Sequence, residues 1–118
     1  MDNKPELIID KDGTKLWHLN DLLHRIDGPA VERPNGDKYW YLNNKIHRTD
    51  GPAIEASNGN KYWYLNGKLH RADGPTIEYS NGDKSWYLNS TSYSFEEWLE
   101  LTPLSTQEKV KLRLKYGQ

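Results

Sequence analysis

In the stretch KYWYLN, present at Lys38–Asn43 and again at Lys61–Asn66, four large apolar or aromatic side chains follow one another. Strand alternation sends neighbouring side chains to opposite faces, so both faces of such a strand carry rings. Trp40 and Leu42 fall on one side, Tyr39 and Tyr41 on the other. Ile54, from the short apolar run PAIEAS, is assigned to the Trp/Leu side. The opposite side then becomes a ladder of Tyr39, Tyr41, Tyr62, Tyr64 and Tyr87.

The same pattern recurs along most of the chain. Trp17, Trp40, Trp63 and Trp86 are each separated by 23 residues, and Gly13, Gly36, Gly59 and Gly82 keep that register. A His-Arg-x-Asp-Gly-Pro cluster repeats at His24, His47 and His70, again at steps of 23 residues. A fixed period of this length is the signature of a repeat architecture. Each unit reads as a hairpin: a short β-type run, an Asp-Gly or Asn-Gly tight turn expected to have two residues, then the aromatic strand. A second turn follows at Asn66-Gly67, and Asp-Gly-Pro marks a bulge or kink before the next unit. About eight antiparallel strands in one open meander are expected from four units over residues 6–91. A β-solenoid with one coil per repeat is the rival arrangement.

Past Asn89 the period breaks. Ser94 with Glu97, and Ser105 with Glu108, form two capping-box patterns. The first predicts a short helix ending at Thr102-Pro103. Residues 105–118 alternate apolar and basic side chains, yet Val110 with Leu114 and Leu112 with Tyr116 fit helical spacing, which favours a helix. Residues 92–118 are therefore expected to be a helical cap over the open end of the sheet, where bare strand edges invite association.

YWYLNGKLHRADGPTIEYSNG (Tyr62–Gly82) resembles the MORN repeat, and more closely the MORN-like variants with NGKLHRxDGPA found in tailed-phage and some bacterial proteins. The likeness covers residues 6–91. It departs at both ends, with Leu16 and His18 in place of tyrosines in unit one and no His-Arg in unit four. It implies a non-catalytic interaction module and, in a phage setting, an inhibitor of a host protein such as a bacterial defence enzyme in the host cytoplasm.

Composition narrows the chemistry. With no cysteine among 118 residues, disulfides, thiol catalysis and cysteine-held zinc are excluded. A net charge of −1, with the repeat body acidic and the tail basic, disfavours nucleic acid. No long apolar stretch predicts a signal peptide or membrane span, so a cytoplasmic protein without membrane attachment is expected. Hydrophobic residues make up 35% and aromatics 12%, suiting a thin structure built on broad amphipathic rings.

His, Arg and Asp in one cluster have the look of an active site. Three copies argue otherwise, because equivalent residues on successive units would lie roughly 9.5 Å apart and run parallel rather than converge. The structural reading has Asp50 satisfying turn amides and Arg48 pairing with Asp50 or with a glutamate such as Glu55 or Glu78. Histidines in a line do not make a metal site, and no cofactor is expected. The tyrosine ladder is either the second packed face of the sheet, partly under the C-terminal helices, or a binding surface for a protein. A module that binds a nucleotide or nucleic acid is the alternative. It lacks a basic stripe and a glycine-rich loop leading into a helix.

Overall fold

The computed structural model describes residues 4–117; residues 1–3 and Gln118, the last residue of the expected cap, lie outside the described residues. The protein is mainly β, an antiparallel meander of hairpins in an open sheet followed by two helices. Among the described residues there are fourteen short strands, against about eight expected. The first hairpin joins β1 (Glu6–Ile9) to β2 (Lys15–Leu19), and β3 (Leu22–Leu23) folds back on β2. In unit two, β4 (Val31–Glu32) pairs with β5 (Lys38–Tyr39), and β6 (Tyr41–Leu42) with β7 (Lys45–Ile46). Unit three repeats this with β8 (Ile54–Glu55), β9 (Lys61–Tyr62), β10 (Tyr64–Leu65) and β11 (Lys68–Leu69). Unit four has β12 (Ile77–Glu78), β13 (Lys84–Leu88) and β14 (Thr91–Tyr93).

The aromatic run of each central unit is interrupted at its tryptophan. The Trp40 amide donates to the Ala53 carbonyl while the Trp40 carbonyl accepts from His47, so one residue joins two different ladders. Ala53 at this crossing is wholly buried, as is Thr76, its counterpart against Trp63. Unit follows unit as antiparallel neighbours, in the order β1-β2-β4-β5-β8-β9-β12-β13-β14, and not as parallel coils.

The first turn of each unit differs from expectation in kind, while the second falls at Asn66-Gly67 as expected. At Asn35-Gly36 only the glycine has positive φ (101°), and the turn closes through Gly36 N–H to the Arg33 carbonyl and Arg33 N–H to the Asp37 carbonyl. This is the three-residue loop, a type I turn followed by a left-handed glycine. Asn35 stays right-handed because its Oδ1 accepts from Asp37 N–H, a local bond that favours the turn. Two-residue turns with positive φ at both positions occur instead at Asn20-Asp21, Asn43-Asn44, Asn66-Gly67 and Asn89-Ser90.

The faces also need correction. Residues directly opposite across a ladder share a face. Tyr39 stands opposite Val31 and Ile54, and Tyr62 opposite Ile54 and Ile77. Ile54 therefore belongs to the tyrosine face, not to the tryptophan side. Intra-strand alternation was right within KYWYLN, but the relation between strands depends on ladder register, which the sequence pattern does not specify.

Helix α1 (Phe95–Leu101) and helix α2 (Thr106–Tyr116) start at Ser94 and Ser105, each with both capping-box hydrogen bonds. Since β14 runs to Tyr93, the helical cap begins at Ser94, two residues later than expected. It covers a face of the last unit instead of shielding an edge. Trp86, Trp98 and Leu99 form the buried cluster, with Leu88, Tyr93, Phe95, Leu112 and Tyr116 packed around it. The Trp86 ring lies 4.7 Å from Trp98 and 4.8 Å from Phe95.

Candidate functional site

The His-Arg-x-Asp-Gly-Pro cluster is a set of links. Arg48 stacks its guanidinium 4.0 Å above the Trp40 ring. Its Nε donates to Asp50 Oδ1 at 3.0 Å, and its Nη1 donates to the Pro52 carbonyl and to Glu55 Oε2, each at 3.0 Å. Arg25 repeats this over Trp17 and Arg71 over Trp63. The Arg71–Glu78 approach is longer, at 3.9 Å. Arg48 thus engages Asp50 and Glu55 together, Glu78 lies against Arg71 instead, and the exposed Asp50 carboxylate takes the guanidinium. Glycine suits this packing, since a Cβ on Gly51 would come within 2.7 Å of Arg48 Cζ and the guanidinium would have to shift.

The histidines join one unit to the next. His24 Nδ1 accepts from Asn43 N–H at 3.1 Å, His47 from Asn66 at 2.9 Å, and His70 from Asn89 at 3.0 Å. An imidazole that accepts at Nδ1 carries its proton on Nε2 when neutral. Arg48 N–H also reaches forward, to the Tyr64 carbonyl at 3.1 Å. Unit four has no following unit, and it has neither His nor Arg at these positions.

Adjacent clusters do share space, contrary to expectation. A groove of about 490 Å3 lies between the loops of units one and two, lined by Arg25, Ile26, Asp27, Trp40, Leu42 and His47 among others. A smaller one of about 280 Å3 over Trp63 and Leu65 separates the loops of units two and three. The loops stand off the sheet, so neighbouring copies face each other across a groove although their strands run side by side. Each arginine is nonetheless held by its own loop, by the tryptophan of its own unit and by the glutamate that opens the next strand. Among the described residues no group of three or more His, Asp or Glu could hold a metal ion, and no helix is long and apolar enough to cross a membrane.

Four of the predicted tyrosines lie with aliphatic side chains in two rows, while Tyr87 stands opposite Ser92. One runs Leu16, Val31, Tyr39, Ile54, Tyr62, Ile77 across successive strands. In the other, Tyr41 stands opposite Ile46 and Tyr64 opposite Leu69. All five tyrosines are half-buried. Burial, and next the neighbouring Tyr39, pushes the Tyr41 phenol above its ordinary value; burial and then Tyr62 and Tyr87 do so for Tyr64. At the N-terminal end both rows line one groove of about 300 Å3, with Arg33 beside Tyr39 and Tyr41. The helices pack around Trp86, on the opposite face, and leave the tyrosine face to solvent at the central units.

A ladder of alternating charge also crosses the sheet. Lys15, Glu32, Lys38, Glu55, Lys61, Glu78 and Lys84 follow one another across the strands as direct partners. Opposite charges placed so contribute favourably to sheet pairing. Its signal was present, because these lysines and glutamates obey the same 23-residue step as the tryptophans. The groove residues Ile26 and Thr49 carried no such signal, since they share a register position but not a residue type, although Leu42 and Leu65 keep the 23-residue step. No family model matches the chain, and no curated protein or solved structure matches it either.

Proposed function

We propose that this protein is a non-catalytic protein-binding module that engages its partner through the tyrosine face of the two central units. The observation that carries this reading is the continuous row of tyrosines and aliphatics, with Tyr41 and Tyr64 beside it, on the face opposite the Trp86 cluster. Tyrosine offers a broad apolar surface and a hydroxyl at low entropic cost, which suits an interface. Lys, Asp and Asn residues of the hairpin turns supply a polar rim. The engagement of the Arg, Asp and His groups in links supports a building role for the cluster and weighs against a catalytic one. The resemblance to MORN-like arrays extends the reading to a phage-encoded inhibitor of a host defence protein.

Affinity capture from bacterial lysate identifies the partner, and titration with that partner tests the surface. Tyr41→Ala and Tyr64→Ala are each expected to weaken binding by about 1–3 kcal/mol if they are anchors. Circular dichroism near that of the unchanged chain keeps the comparison fair. Full binding by the folded double variant sinks the tyrosine-face reading. A binding constant that collapses steeply with salt points to phosphate contacts and the nucleic-acid alternative.

A further inference from the structure

We propose that the outer edge of β1 docks a second copy of this chain, so that two copies join edge to edge in one continuous antiparallel sheet. β1 begins the strand order and, among the described residues, pairs only with β2. The helices sit on the last unit, at the other end, and leave this edge bare. Leu7, Ile8 and Ile9 keep 47%, 50% and 58% of their surfaces in water. Consecutive exposed apolar residues on an open edge are a template for pairing with another chain. The repeat makes the choice of residues visible. Leu7-Ile8-Ile9 occupies the register of Ala30-Val31-Glu32, Ala53-Ile54-Glu55 and Thr76-Ile77-Glu78. Inside the sheet the glutamate stands between two lysines, as Glu32 does between Lys15 and Lys38. A charge at that position would also deter strand addition at an edge facing only water. Unit one has isoleucine there instead.

Backbone geometry selects a second copy as the occupant. Trp17 turns its N–H to the Ala30 carbonyl and its carbonyl to the His24 N–H, both away from β1. Its neighbours Leu16 and His18 therefore bond Ile8 and Glu6, and the N–H and carbonyl groups of Leu7 and Ile9 point outward. Outward residues on either side of Ile8 form a self-complementary set. With Ile8 on a two-fold axis, Leu7 of each copy stands opposite Ile9 of the other, and each such pair exchanges both backbone hydrogen bonds. Every side chain in those pairs then meets an apolar one, whereas a two-residue slip either way sets Ile8 against Glu6 or Asp10. Ile8 also heads the tyrosine-face row, opposite Leu16, so this register joins the rows of the two copies into one. The far end of the row is polar, with Ser85 opposite Ile77. Glu6 faces Asp10 of the other copy at each end, a like-charge pair that opposes the contact. Three residues a side also bury less than the roughly 1,000 Å2 of a stable interface, so the dimer is weak and reversible.

The chain has no cysteine, so single-cysteine variants report the contact without background. Ile8→Cys is expected to give a disulfide-linked dimer on mild oxidation, since Cα atoms facing each other in a non-hydrogen-bonded pair lie about 4.5 Å apart, within disulfide reach. Leu7→Cys and Ile9→Cys should stay mostly unlinked over the same time, because each faces the other position and meets its own copy only across a diagonal of about 7–8 Å. Sedimentation of the unchanged chain should show a monomer–dimer equilibrium that tightens with added salt, as screening relieves Glu6 and Asp10. Ile9→Glu restores the interior residue beside Lys15, so that variant should melt no lower and dimerise at least about tenfold more weakly. The Tyr41→Ala/Tyr64→Ala chain should dimerise normally, which separates this outcome from that of the tyrosine face. Three results overturn the proposal: a monomer at every concentration, linking of Leu7→Cys or Ile9→Cys as fast as Ile8→Cys, or undiminished dimerisation of Ile9→Glu. The first would leave the edge to an extended strand of a different protein.

Discussion

Arg48 shows how much one side chain holds at the residue scale. Its guanidinium is covered by Trp40 below and ringed by Asp50, Glu55 and the Pro52 carbonyl. Arg48→Ala removes the stacking and the charged hydrogen bonds together, and a loss of about 1–3 kcal/mol is expected in chemical denaturation. Lysine should not restore it, because an ammonium cannot stack and fork at once. Gly51→Ala is expected to destabilise the parent chain and to do so far less in an Arg48→Ala background, since the added methyl collides with Arg48 rather than straining the backbone. Equal costs in both backgrounds would disprove that reason. Tyrosine ionisation supplies a further expectation. Tyr41 and Tyr64 are raised above 10.0 by burial, so the unfolded chain ionises first as pH climbs. Their stabilisation is complete below about pH 10 and is lost as pH rises through their folded values. Melting temperatures should fall over that window, and less so for Tyr41→Phe/Tyr64→Phe.

At the scale of elements, the turns and caps divide into those that need a special backbone and those that do not. Gly67 sits at φ +80° with open space around a would-be Cβ, so Gly67→Ala should cost about 1–2 kcal/mol from the backbone alone. The aligned positions tolerate Asp21, Asn44 and Ser90 at positive φ, which makes Gly67 the one unstrained member of the series. Both capping boxes were legible before any fold was known, because Ser and Glu three apart act within a single turn of chain. The hairpin positions were legible for the same reason. Their exact type was not, since Asn-Gly serves a two-residue turn and a three-residue loop equally well until the flanking ladder sets the register.

The whole molecule extends over 48 × 33 × 21 Å, with each unit bonded to its neighbours through histidine, arginine and turn contacts. The buried cluster of Trp86, Trp98 and Leu99 is at one end, where α1 meets Trp86. Trp98 is wholly buried there, and Trp98→Ala is expected to cost about 3–5 kcal/mol. In an array held by nearest neighbours the damage should stay local. Hydrogen exchange should accelerate in β13, β14 and α1 while β2 to β9 keep most of their protection. Uniform acceleration along the chain would instead mark one cooperative unit.

The repeat, the strand-rich class, the alternation within KYWYLN and both helices were readable from the chain, because each depends on residues close in sequence. Arg48 with Asp50 was foreseeable on the same ground. Three features were not. The side of the sheet that Ile54 faces follows from its register against Tyr39 and Tyr62, which lie 15 and 8 residues away. The face that the helices cover follows from Trp98 reaching back 27 residues to Arg71. The meeting of two clusters across one groove follows from how far their loops stand off the sheet. Periodicity reports the direction of a side chain relative to its own strand. Which strands are brought together, and at what offset, is settled by packing between segments that share no local pattern.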